Sequence, residues 1–135
     1  MAEVNLSEKR QSIEIYVEGK LYGSIVINPS VPNGCQRIYE ALAHEREVAG
    51  KALEDIQGED KEKAVIAYME GMGKVAGEII DGIAEAIGPS QYETIADLLP
   101  CIEMRHLIVL ALSIIESYSK YYTGLLSEGF KKRGE

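Results

Sequence analysis

Hydrophobic and polar residues alternate near the start of the chain, in the segment SIEIYVEGKLYGSIVIN at residues 12–28. A period of two around the pair Glu18-Gly19 predicts a β-hairpin. A two-residue loop at this pair would place Ile15 opposite Tyr22 and mix the apolar and polar faces. A three-residue loop is therefore favoured. Of the two possible loops, Val17–Gly19 and Glu18–Lys20, the first is preferred, because Gly19 then occupies the left-handed position of a bulged loop.

One face of this hairpin is expected to be apolar. Its residues are Ile13, Ile15, Leu21 and Ile25. Because two strands alone are only marginally stable, this face should lie against a helix or against another chain.

The remainder of the chain has helical spacing. Asn33 and Gln36 form a potential capping box, which predicts a first helix from near Gly34 to about Gln57. Asp60 is predicted to cap a second helix that ends at Ile87. The apolar stripes of the two helices are Ile38, Leu42, Ala49, Ala52, Leu53 and Ile56, followed by Val65, Met69, Met72, Ala76, Ile79, Ile83 and Ile87.

The segment EAIGPSQYETIADLLP predicts a corner between helices. Gly88 followed by Pro89 should end the second helix. A capping box that begins at Ser90 predicts a short helix over residues 91–98. Pro100 is expected at the first position of a final helix, which would continue from Cys101. The predicted fold class is therefore α+β and mostly α, with an N-terminal β-hairpin followed by a bundle of about four helices.

The second predicted helix contains four glycines, each of which costs about 0.5–1 kcal/mol relative to alanine in a helix interior. Gly73 and Gly77, with Ala76 beside them, predict a strip of small residues where another helix can approach closely. A bent or loosely packed helix is the alternative.

The final helix is apolar on all sides at residues 107–112, which places it at the centre of a bundle or against another subunit. Its later part carries an aromatic and apolar cluster. The residues of this cluster are Tyr118, Tyr121, Tyr122, Leu125 and Leu126. Packing in the core is the favoured use. Binding of a partner is the second, because tyrosines often anchor interfaces.

Charge and hydropathy limit the possible partners and locations. The chain has 22 acidic and 14 basic side chains, for a formal net charge of −8. This excess disfavours binding to nucleic acid and to anionic membranes. The longest mainly apolar run, LIVLALSII at residues 107–115, has nine residues, whereas a membrane span needs roughly 20. Because the start of the chain shows no signal peptide, the protein is expected to be cytoplasmic. The predicted organisation is a flexible tail at residues 1–10, one domain at 11–130 and a basic tail at 131–135.

A search for chemistry predicts no catalytic, metal-binding or cofactor-binding residues. His44 lies at helical spacing from Glu40 and Glu47, but no second histidine completes a metal motif. The segment GMGKVAG lacks both a preceding strand and the serine or threonine of a phosphate loop. No nucleophile lies in a recognisable pattern with a base.

The order of these elements resembles a known family. The order is a hairpin (IEIYVEGKLYGSIVIN), a polar helix, the segment IIDGIAEAIGPSQYETIADLLP and a hydrophobic last helix. Over roughly residues 12–126, this order resembles that of the tail assembly chaperones of long-tailed phages and prophages. The resemblance implies a non-enzyme in the host cytoplasm that keeps the tape measure protein soluble during tail assembly, often as a homo-oligomer. A structural or adaptor homo-oligomer of a phage particle, without chaperone activity, is the alternative. A small enzyme or ligand-binding domain comes third.

Overall fold

The computed structural model describes residues 2–3 and 10–132, with side chains as far as residue 129. It confirms the predicted fold class, because a two-stranded antiparallel hairpin precedes four helices. The elements are β1 (Gln11–Val17), β2 (Lys20–Ile27), α1 (Cys35–Asp55), α2 (Lys61–Ile87), α3 (Pro89–Ile95), a short 3-10 turn (Leu99–Cys101) and α4 (Met104–Lys132). The tails predicted at residues 1–10 and 131–135 lie mostly outside the described residues.

The hairpin turn differs from the prediction. Glu18 and Gly19 form a two-residue turn, with positive φ angles of 52° and 80°, so the three-residue loop is wrong. Ile15 nevertheless pairs with Gly23, while Tyr16 pairs with Leu21, which leaves Tyr22 as the extra residue of a β-bulge. This bulge corrects the register that a two-residue turn alone would impose. Ile13 therefore faces Ile25 across the strands, as an apolar hairpin face requires.

Helices α1 and α2 form a long helical hairpin. Asp60 caps α2 as predicted, because its carboxylate accepts a hydrogen bond of 3.0 Å from the backbone N–H of Lys63. The capping box predicted for α1 is absent. Gly34 is the N-cap, with a φ of 75° and no side-chain cap. A Cβ atom at Gly34 would collide with the backbone of Gly82 and Ala86, so close contact with α2 as well as the positive φ requires glycine there.

The corner after α2 is built largely from backbone geometry. Gly88, with a φ of 84°, ends α2, and its N–H donates a hydrogen bond of 2.9 Å to the carbonyl of Ala84. Pro89 begins α3, and no side chain caps that helix, so the predicted Ser90 capping box does not form. Pro100 lies in the 3-10 turn, and α4 consequently begins at Met104, later than predicted.

The core lies between the hairpin, the C-terminal part of α2 and the middle of α4. Its most buried residues include Ile25, Ile27, Ile38, Val75, Ile79, Ile83, Ile95, Leu99, Ala111 and Ile114. Helix α4 is covered on one side only, because Val109 and Leu112 are exposed. Among the described residues, no helix combines the length and the apolar character that a bilayer span requires.

Candidate partner-binding surfaces

Tyr118 belongs to the core and not to an open binding surface. Only 2% of the residue is exposed. Its hydroxyl group reaches the carbonyl oxygens of Asn33, at 3.2 Å, and Ala86, at 3.4 Å. The side chain therefore joins α4 to the start of α1 and to the end of α2. Of the two uses considered for this tyrosine, the structure places it in core packing.

Burial raises the pKa of Tyr118 from 10.0 to about 12, with smaller contributions from Cys35 and Tyr122. The folded state therefore holds this proton more tightly than the unfolded state. The resulting stabilisation is fully present below pH 10 and is lost as the pH rises towards 12.

We expect Tyr118→Phe to reduce the free energy of unfolding at neutral pH by about 1 kcal/mol, because the hydroxyl loses its carbonyl partners. The variant should also lose less stability than the wild type between pH 10 and 12. Urea unfolding at a series of pH values measures both effects. Tyr39→Phe is the control at neutral pH, since Tyr39 is exposed. Identical pH profiles for the wild type and Tyr118→Phe would contradict the burial of this hydroxyl.

The other members of the predicted aromatic cluster continue along α4. Tyr121 and Tyr122 are half-buried, and their rings meet edge to face with centroids 5.1 Å apart. The hydroxyl of Tyr122 donates a hydrogen bond of 3.3 Å to the carbonyl of Ser30. Leu125 and Leu126 are exposed. The five predicted residues therefore do not form one surface, and only the last two are freely available to a partner.

The glycines of α2 do approach another helix, but not at the predicted positions. Gly73 and Gly77 are exposed, and a Cβ atom at either would have no neighbour within 4 Å. A Cβ atom at Gly82 would lie 2.8 Å from a side-chain carbon of Ile38, and one at Gly71 would lie 2.7 Å from Val48. The close approach of α1 therefore follows Gly71 and Gly82, which lie on a different face of α2.

The hairpin face is apolar where it meets the helices and open near its turn. Ile25 is fully buried, and Ile13 and Ile15 are half-buried against the core. Leu21, in contrast, is 58% exposed. The bulge beside Leu21 shifts its pairing by one residue and so removes it from the predicted face. At the other end, the N–H of Val26 donates a hydrogen bond of 3.0 Å to the side-chain oxygen of Gln91 and thereby attaches β2 to α3.

An apolar groove, which the sequence did not single out, lies between α1 and α2 near the loop that joins them. Its volume is about 300 Å³. Its lining residues are Ala49, Ala52, Leu53, Ile56, Ala64, Val65 and Tyr68. We refer to it as the α1–α2 groove. The alanines leave space between the helices, while the larger side chains form the walls.

Among the described residues, only those of α1, α2 and the C-cap of α1 line the α1–α2 groove, so no third element covers this end of the helical hairpin there. The apolar stripes of both helices continue past the core, so Leu53 is 68% exposed and Met69 is 65% exposed. Ile66 and Val65 are also exposed. Continuation of both stripes to the connecting loop was visible in the sequence. The sequence did not show the position at which α4 stops covering these stripes.

A second cleft separates β1 from the first half of α4. Its volume is about 390 Å³. Ile15, Val17, Val109 and Leu110 contribute apolar side chains, while Glu14, Glu18 and His106 make it more polar than the α1–α2 groove. Val109, which is 59% exposed, extends the apolar surface of this cleft.

His44 and Glu78 form a polar contact between α1 and α2 at the surface of the protein. Nδ1 of His44 lies 3.0 and 3.1 Å from the two carboxylate oxygens of Glu78. This histidine is therefore paired across the helical hairpin and not with the glutamates of its own helix. Over residues 2–3 and 10–132, no group of three or more His, Cys, Asp or Glu side chains is arranged to hold a metal ion.

Comparison of the chain with protein-family models, with curated proteins and with solved structures found no match in any of the three.

Proposed function

We propose that this protein is a phage tail assembly chaperone. In this role it binds the tape measure protein in the host cytoplasm and keeps it soluble until the tail tube forms. It acts by covering apolar segments of that protein and not by catalysis. The observation that carries the proposal is the open α1–α2 groove, whose lining includes exposed apolar side chains such as Leu53 and Val65.

Physical chemistry supports this use of the groove. Contiguous exposed apolar side chains often mark sites of protein interaction. Their burial against a partner stabilises a complex by roughly 25 cal/mol for each Å² removed from water. The formal net charge of −8 opposes nonspecific aggregation of a chain that exposes such a surface. A chaperone needs both properties, since it must hold an apolar client without precipitating.

The alternative is a structural or adaptor homo-oligomer of a phage particle. The cleft between β1 and α4 favours it, because Val109 and Leu112 are exposed on a helix that is otherwise apolar in this region. Such a protein would associate with copies of itself, and it would leave the solubility of a tape measure protein unchanged.

Co-expression separates the two functions. The tape measure protein encoded in the same phage or prophage genome is produced with and without this chain, and its soluble fraction is measured. A chaperone is expected to raise that fraction several-fold and to co-purify with the client. An unchanged soluble fraction, together with a stable homo-oligomer in sedimentation experiments, would favour the structural role.

A further inference from the structure

The α1–α2 groove has the geometry of a binding site for a helix. Contacts between Ile38 and Gly82, and between Val48 and Gly71, show that α1 and α2 run antiparallel. The groove follows this seam from Ala49 to Ile56, a distance of about 10 Å at the rise of an α-helix. The apolar face of another helix can be placed along such a seam.

An extended segment would fit the groove poorly. The backbone groups of α1 and α2 are hydrogen-bonded within their own helices, so the groove offers no strand edge to an incoming chain. A buried extended segment would then leave its N–H and C=O groups unpaired, whereas a helix satisfies them internally. Among the described residues, the lining is almost entirely apolar, with one side-chain hydroxyl, that of Tyr68.

Charge indicates which helix is suitable. Residues 45–70 contain eight carboxylates and four cationic side chains, so this end of the molecule carries a net charge of −4. The structure describes all of these residues, and none of their charged side chains forms an ion pair. An acidic surface with unpaired carboxylates attracts a basic partner. A second copy that approached with the same end would be repelled.

We infer that the α1–α2 groove binds an amphipathic α-helix whose apolar face is flanked by lysine or arginine. This inference rests on the proposed function in one respect, since it assigns the bound helix to the tape measure protein. The helix places its apolar side chains against Leu53, Ile56 and Val65, and its cationic side chains lie above the surrounding carboxylates. The groove thereby becomes the seam of a three-helix arrangement.

A pair of designed peptides tests the charge requirement. Both have about 18 residues, which is long enough to be helical when bound, and both carry the same leucine face. One has lysine at its polar positions and the other has glutamate. Fluorescence anisotropy with the full chain should show that the lysine peptide binds at least ~10-fold more tightly than the glutamate peptide. Added salt should weaken the binding of the lysine peptide. Equal affinities, or no binding of the lysine peptide, would overturn the inference.

A matched pair of variants tests the location. Leu53→Glu changes a groove wall that is 68% exposed, and Leu126→Glu changes an equally accessible position on α4 that is 66% exposed. Both variants should fold with an unchanged melting temperature. Leu53→Glu should lower the affinity for the lysine peptide by at least ~10-fold, because it places a carboxylate in the apolar contact. This loss is expected although the substitution adds a favourable charge. Leu126→Glu should leave the affinity unchanged, and the reverse pattern would place the binding site on α4.

The same variants separate this inference from the proposed function. If Leu53→Glu still keeps the co-expressed tape measure protein soluble, the groove is not the binding site and the inference is wrong, while the chaperone function stands. If the wild-type chain binds the lysine peptide but does not change the solubility of the tape measure protein, the helix-binding groove stands and the proposed function is wrong.

Discussion

Replacement of Ile25 with lysine is expected to lower the free energy of unfolding by about 4 kcal/mol, a large part of the stability of a small domain. Ile25 is fully buried between the hairpin and the helices. A lysine there would lose the apolar contacts of isoleucine and would also remove an ammonium group from water without a partner. Urea unfolding, followed by circular dichroism, measures the change.

The control for this prediction lies on the same strand. Leu21 is 58% exposed beside the bulge, so Leu21→Lys should change the stability by no more than about 0.5 kcal/mol. Equal losses in the two variants would show that the β2 register is wrong. An unchanged stability of Ile25→Lys would show that the hairpin does not pack on the helices at all.

Replacement of Gly82 with leucine is expected to lower the free energy of unfolding by about 3 kcal/mol. A Cβ atom at this position would already lie 2.8 Å from a side-chain carbon of Ile38 and 3.1 Å from its backbone nitrogen. The backbone contact cannot be relieved by a rotamer change, so α1 would have to move away from α2. Thermal unfolding should show a lower melting temperature.

Gly77 provides the matched control in the same helix. A Cβ atom there would meet nothing within 4 Å. Gly77→Leu should therefore stabilise the protein by about 0.5–1 kcal/mol, through the higher helix propensity of leucine. Opposite signs at the two glycines are the expected outcome. Destabilisation at Gly77 with tolerance at Gly82 would instead support the small-residue strip that the sequence suggested.

Local patterns predicted the type and order of the elements well. The period-two alternation identified the hairpin, and Asp60 identified the start of α2. The turn was mispredicted because a bulge at Tyr22 compensates for a two-residue loop, and alternation alone does not show where an extra residue lies. The α1 cap was mispredicted because Gly34 is required by contact with Gly82 and Ala86, a tertiary effect.

The surfaces were harder to predict because they depend on which helix faces are covered. Tyr118 and Leu126 belong to one cluster in the sequence, but the first is buried at the junction with α1 and α2 and the second is exposed. Likewise, Leu53 and Ile38 belong to one apolar stripe, yet only Ile38 lies under other elements. Periodicity identifies the apolar face of a helix, whereas the length over which that face is buried is set by the neighbouring elements.

Hydrogen exchange of the full chain, free and mixed with the tape measure protein, shows whether the α1–α2 groove holds this client. The free protein and the purified complex are compared, and amide protection is read along the chain. We expect a stable complex in which added protection is concentrated at residues 49–68, the segment that forms the α1–α2 groove. Absence of a complex, or added protection confined to α4 and the hairpin, would contradict this expectation.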